Sequence, residues 1–283
     1  MKHTLIATFL CLSSVVVRGQ TAKAEAPKFS VSELYSQERR GAWVYLPTAQ
    51  TKKKIPCVVV PPAGSRMYHG MAVAAGDQAE HTPYVNAGFA VITFDISGIL
   101  PDEPNANDVQ SATRLFIESD CGVLDAKRAI DAALKSHPQI DENRIYIAGH
   151  SSAGSLALLV AAKEPRIKAC AAYAPDVEPA AFIGSATLTK LDSLVPGASA
   201  KIKGNSPRVL CGKIKCPTML FVAEDDSVTN PALIAKFAEE LKKSNPNTTH
   251  VTTPSGDHYD SMIKVGIPKG VEWLKSIDQP KAK

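Results

Sequence analysis

Beyond Val17 the chain has no apolar run long enough to span a bilayer, so no stable membrane insertion is expected once the N-terminus is processed. It also has little excess charge. Lys and Arg number 32 against 28 Asp and Glu, a formal net charge of +4, and three of the cations, Lys2, Arg18 and Lys23, lie in a leader without acidic residues. Removing that leader takes the charge to +1, which gives no electrostatic case for a nucleic acid or an anionic surface. The nearest thing to a charge run, Lys52-Lys53-Lys54, reads as a solvated loop before a strand. No cysteine and histidine cluster has zinc spacing, and no glycine-rich phosphate loop or dinucleotide fingerprint follows a strand, so neither metal nor cofactor is expected. Repeats, low-complexity tracts and linkers are lacking too, and one large domain is the default for this length.

What is present begins with Met1-Lys2-His3 and the apolar stretch Leu5 to Val17, the make-up of a secretory signal peptide. Cleavage fits after Gly19 or after Ala24. The second is favoured, giving a leader of 1–24, a single domain of 25–283, and a secreted or periplasmic protein; an uncleaved anchor is the alternative. Bulky Leu10 argues against Cys11 as a lipoprotein acceptor. The remaining cysteines, Cys57, Cys121, Cys170, Cys211 and Cys216, are odd in number, which leaves at least one thiol unpaired or shared between chains. Cys211 and Cys216, flanking Gly212 to Lys215, are the expected intrachain disulfide. Cys57 and Cys170 lie in strand-like runs and read as small buried hydrophobes.

Apolar, β-favouring runs at Trp43 to Pro47, Ile55 to Val60, Phe89 to Phe94, Arg144 to Ala148, Ile167 to Tyr173, Thr218 to Ala223 and His250 to Thr252 read as strands. Helical patterns lie between them, around Gln78 to Ala87, over Val109 to Ser136 as one long helix, over Ser155 to Ala162, and over Pro231 to Lys243. This alternation predicts an α/β fold, a mostly parallel sheet with helices on both faces and ligands at the carboxyl ends of the strands. Between Pro175 and Pro217 the chain looks irregular. Its span 176–216 reads equally as a cap over a site or as a surface excursion.

The most informative stretch is Gly149-His150-Ser151-Ser152-Ala153-Gly154, set between the apolar run ending at Ala148 and a helix apolar on every face. It has the form of a nucleophile elbow, a strand-to-helix turn so sharp that the residues two before and two after the serine must be tiny. Gly149 and Ala153 meet that demand around Ser151. Taking Ser152 as nucleophile would put bulky His150 two residues before it, so Ser151 is the candidate; the competing reading is a serine that merely caps a helix.

A serine hydroxyl needs a base, and the base needs an acid to fix its tautomer. Asp226 follows the strand ending at Ala223, and His258 follows the last short strand, in Ser255-Gly256-Asp257-His258-Tyr259. The order Ser, Asp, His is that of α/β-hydrolases.

On these motifs the chain resembles the α/β-hydrolase superfamily over nearly its whole mature length, and within it the dienelactone hydrolases and prolyl-oligopeptidase-like esterases. The resemblance implies an acid turn of small residue, two variable residues, Asp and a nearby apolar residue, matched by Ala223, Asp226 and Val228, with Asp225 ranked second. It implies a base loop of Gly, variable residue, His and aromatic residue, matched by Gly256, His258 and Tyr259. His150 would pack beside the site, His250 lies in a strand, and His69, His81 and His137 read as surface or structural. Asp95 matches a strand-end turn of the family and reads as structural.

Attack by serine creates an oxyanion that needs preorganised donors. The backbone N–H of Ser152 is the first. The second is expected from Pro61-Pro62-Ala63-Gly64-Ser65, which departs from the family's His-Gly pair; prolines have no N–H, so Gly64 leads, with Ser65 and Ala63 open. The resemblance implies a serine hydrolase acting on small-molecule carboxylic esters through an acyl-enzyme, without a cofactor, and the leader makes it an exported one. The alternatives are a serine peptidase of the prolyl-oligopeptidase kind, a group that usually carries a propeller domain for which this chain has no room, and a non-catalytic binding protein on the same fold.

Overall fold

The structure is a computed structural model that describes residues 29–37, 40–48 and 53–279. The expected leader, 1–24, lies outside the described residues. Eight strands form one sheet in the order β1-β2-β4-β3-β5-β6-β7-β8. They are β1 Phe29–Gln37, β2 Arg40–Pro47, β3 Ile55–Val59, β4 Ala90–Phe94, β5 Ile140–His150, β6 Ile167–Tyr173, β7 Thr218–Ala223 and β8 Thr248–Thr253. The β1/β2 and β2/β4 pairs are antiparallel and all others parallel. Every residue of β4 and β7 is buried, as continuous apolar strands covered on both faces should be.

Helices cover both faces: α1 Gln78–Asn86, α2 Ala106–Glu118, α3 Val123–Ser136, α4 Ser152–Lys163, α5 Pro179–Ile183, α6 Ser185–Leu194, α7 Ala198–Gly204, α8 Pro231–Ser244 and α9 Ile267–Asp278. Alternation along each strand sorts side chains into two cores. Cys57, Ile92, Ile147 and Leu220 face α3, α4 and α8, while Val58, Val91, Ala148 and Met219 face α1 and α9. Residues 152–161 of α4 are all buried, which explains a helix apolar on every face.

Three expectations change. The long helix expected over Val109 to Ser136 is two helices, α2 and α3, broken where Asp120, Cys121 and Gly122 take φ of 55°, 56° and 92° in succession. Left-handed backbone cannot continue a right-handed helix, and hydrogen bonds from Lys163 Nζ to Asp120 (2.8 and 2.7 Å) hold the break in place. The expected Cys211–Cys216 disulfide is absent: both thiols are free, Cys211 in a short 3₁₀ turn and Cys216 at the entrance to β7. Burial of Cys57 and Cys170 is as expected. Finally, residues 176–216 are not irregular but carry α5, α6 and α7, which share an apolar cluster of Leu188, Leu191, Val195, Ala198 and Ile202.

Candidate active site

At the end of β5, Ser151 has φ 55° and ψ −124°, outside the helical and extended regions, and α4 begins at the next residue. Its N–H donates to the Tyr173 carbonyl at 2.9 Å, docking the elbow against β6. A Cβ on Gly149 would stand 2.4 Å from the Ala153 carbonyl oxygen, so the turn closes only with glycine there. This close approach is the steric demand that selects Ser151 over Ser152 as the apex.

Asp226 emerges beyond β7 and His258 beyond β8, two neighbouring parallel strands. His258 Nδ1 lies 2.9 Å from Asp226 Oδ2 and 3.1 Å from Oδ1. Asp226 is wholly enclosed at its side chain and also accepts the N–H groups of Val228 at 2.9 Å and Thr229 at 2.8 Å. Burial alone would raise its pKa, but the His258 hydrogen bond and these two N–H donors outweigh it and hold the carboxyl below its usual value. A carboxylate accepts only, so Nδ1 carries the proton and Nε2 presents a lone pair. The neighbouring Asp225 instead accepts the N–H groups of Gly256 (3.2 Å) and Asp257 (2.9 Å). In return Asp257 Oδ1 accepts the N–H and hydroxyl of Ser227, each at 2.8 Å. Acid and base loops are therefore braced against each other.

The elbow and the base loop also meet. His150 Nε2 lies 3.1 Å from the His258 carbonyl oxygen, and the two rings are 4.5 Å apart. Among the described residues no hydrogen bond joins the Ser151 hydroxyl to His258; catalytic hydrogen bonds of this kind tighten as the reacting complex forms. On the far side, the N–H groups of Gly64 and Ser65 converge on Ser152 Oγ at 3.0 and 3.1 Å, so the loop after β3 does reach the start of α4. The hydroxyl of Ser65, in turn, donates to the His69 carbonyl at 2.5 Å and tightens that loop.

The other singled-out residues have structural surroundings. Asp95 accepts from Gly41 and Val73 N–H at 2.7 Å each, pinning β2 to the loop before α1. His69 donates from Nδ1 to the Gly70 carbonyl, His81 is buried in α1, and His137 ends α3. Of two cavities near this end of the sheet, only the first touches an elbow residue. The first, of about 30 Å³, touches Ser65, Ser152 and Leu156 with Pro179 and Ile202 of the 176–216 segment. The other, of about 240 Å³, lies between Phe182 and Val228. No group of described residues has the make-up of a metal site.

A family model for acetyl xylan esterase (AXE1) matches residues 15–178, and one for the prolyl oligopeptidase family matches residues 120–277, each more than half of the chain. The chain belongs to the α/β-hydrolase superfamily. No curated protein matches its sequence significantly. Among solved structures it is similar to a dienelactone hydrolase described as putative from Klebsiella pneumoniae, at 16% identity, covering 87% of this chain and 98% of that one with a TM-score of 0.64. An esterase from Pyrococcus furiosus matches at 18% identity, 89% and 91% coverage and a TM-score of 0.60. The acylaminoacyl peptidase of Pyrococcus horikoshii matches at 16% identity and a TM-score of 0.64, over 88% of this chain but only 40% of the peptidase. The chain thus spans about two fifths of the length of these peptidases. At such identities the likeness is one of fold.

His150 is the residue whose part in the site the sequence understated. Its place beside Ser151 was visible, but its contact with a carbonyl 108 residues away was not.

Proposed function

We propose that the protein is an exported carboxylic-ester hydrolase working through an acyl-enzyme, with Ser151 as nucleophile, His258 as base and Asp226 as its orienting acid. The observation that carries this reading is the 2.9 Å contact between His258 Nδ1 and the enclosed Asp226 carboxylate, on a loop that also touches the residue beside the strained Ser151. His258 Nε2 takes the Ser151 proton as Oγ attacks the ester carbonyl, and the resulting oxyanion is held by the N–H of Ser152 and that of Gly64. The imidazolium then protonates the departing alcohol. Water deprotonated by the same histidine releases the acid and restores Ser151.

Esters with small acyl groups are favoured by the acetyl xylan esterase family match over residues 15–178. Export rests on the signal-like leader alone. The match to the prolyl oligopeptidase family over residues 120–277, which contain all three proposed catalytic residues, supports a second reading as a peptidase. Labelling with a fluorophosphonate probe tests the shared mechanism: wild type should label and Ser151→Ala should not, and a wild type that stays unlabelled defeats it. Nitrophenyl acetate and butyrate against peptide anilides separate the two activities, with turnover of the esters expected and preference for the anilides overturning the esterase reading.

A further inference from the structure

His150 is the elbow residue beside Ser151, lies near Glu80 of α1 and has no part in the proposed triad. It is 4% exposed, and its ring is capped edge-on by Tyr259 with centroids 6.0 Å apart. Nε2 faces the His258 carbonyl at 3.1 Å, and Nδ1 faces Glu80 Oε1 at 3.9 Å. Glu80, on α1, is itself 7% exposed. One imidazole therefore spans from a buried carboxyl to the backbone of the residue proposed as the base.

We propose that His150 and Glu80 are a positioning pair for His258: His150 donates from Nε2 to the His258 carbonyl and fixes the base loop over the elbow, while Glu80 holds the His150 ring from behind. This rests on the proposed role of His258 as base.

The proton count follows from the partners. A carbonyl oxygen only accepts, so Nε2 carries the hydrogen, and a neutral ring then presents the Nδ1 lone pair to Glu80. Burial, with electrostatic repulsion from the neighbouring imidazole a smaller cause, pulls His150 down to about 4, so the ring is neutral near pH 7. Burial and the Asp77 carboxylate push Glu80 up to about 7. Protonated Glu80 can donate to Nδ1 once its side chain swings in to bonding distance; ionised Glu80 sets a carboxylate against a lone pair. The remaining titratable groups that sense this pair are Tyr84, Tyr173 and Tyr259 at Glu80 and Asp226 at His150. None of them supplies a cation to replace the lost proton. The pair is thus intact below about pH 7 and loosens as Glu80 ionises above it.

His150→Phe keeps a ring but removes the donor, and His150→Gln restores an N–H. The first should lower kcat about 10- to 100-fold, the scale of a mispositioned catalytic group, with KM changed less than about threefold. The second should recover much of that loss. Glu80→Gln, whose amide donates at every pH, should leave activity on the acid side unchanged and abolish a decline in kcat/KM that wild type shows on rising through about pH 7. In wild type, ¹⁵N spectra of the histidine rings should find His150 as the neutral Nε2–H tautomer at neutral pH. An Nδ1–H or charged ring there, wild-type kcat in His150→Phe, or superimposable pH profiles for wild type and Glu80→Gln would each overturn the pair. If His150→Phe does not fold, the tautomer and the Glu80→Gln profile decide. Fluorophosphonate labelling of Ser151 in wild type keeps this outcome apart from failure of the hydrolase reading itself.

Discussion

The Ser152 hydroxyl accepts the N–H of Gly64 at 3.0 Å, so the residue expected to give one oxyanion donor has its side chain on the residue expected to give the other. With Ser65 N–H on the same oxygen at 3.1 Å, the loop after β3 already points two donors at the start of α4. An oxyanion that uses Gly64 must displace that hydroxyl.

Ser152→Ala tests this competition. It removes the hydroxyl, keeps the Ser152 position's backbone N–H and frees both loop donors, so kcat on nitrophenyl acetate should stay within about threefold of wild type or rise. A fall of about 100-fold, the scale of a lost oxyanion donor, would give the donor role to the hydroxyl instead.

Asp225 and Asp226 are adjacent but face different partners, and their asparagine variants should separate cleanly. Asp226→Asn offers His258 Nδ1 a group that can donate as well as accept, allowing the wrong tautomer, and should lower kcat by about 10³- to 10⁴-fold with the fold intact. Asp225→Asn weakens only the N–H contacts to Gly256 and Asp257; kcat should change by less than about tenfold. Steady-state kinetics on both variants read this out, and equal losses would remove Asp226 from its proposed role.

His81 is buried in α1 with neither ring nitrogen hydrogen-bonded, and burial pulls its pKa down to about 4. An unfolded histidine protonates near about 6.5, so the unfolded chain binds more protons between these values and stability falls as pH drops through that window. His81→Leu should raise stability at neutral pH by about 1–3 kcal/mol, the cost of an unsatisfied buried polar group. It should also flatten the acid side of the Tm-against-pH curve, measured by thermal unfolding; an unchanged curve would show that His81 is not held neutral.

Gly149→Ala would push a methyl to 2.4 Å from the Ala153 carbonyl oxygen, a backbone atom that cannot swing away. Overpacking of this kind costs about 1–3 kcal/mol, and because the displaced segment carries Ser151, probe labelling should fall together with Tm. Unchanged labelling would mean that the elbow tolerates the shift.

Much of the fold was legible because its signals are local. Continuous apolar runs at Ala90 to Phe94 and Thr218 to Ala223 are strands buried on both faces, and the all-apolar α4 is a helix buried all round. The break between α2 and α3 was not legible. Two of its three left-handed residues are Asp120 and Cys121, types without a glycine's freedom, and they are held by Lys163 and Asn205 from distant segments. The helices of residues 176–216 were hidden likewise, since their apolar residues pack on each other in a small cluster of their own.

The sequence by itself determined the elbow register, through the size of Gly149 and Ala153, and the order in which Ser151, Asp226 and His258 follow their strands. These are properties of a few neighbouring residues and of chain order. Only the tertiary structure decided that Asp226 rather than Asp225 meets His258, that Ser152 meets Gly64, and that His150 meets the base loop with Glu80 near its other nitrogen. Each of those contacts joins residues dozens of positions apart, where a shift of one residue or one rotamer exchanges the partner, and no local pattern carries that information.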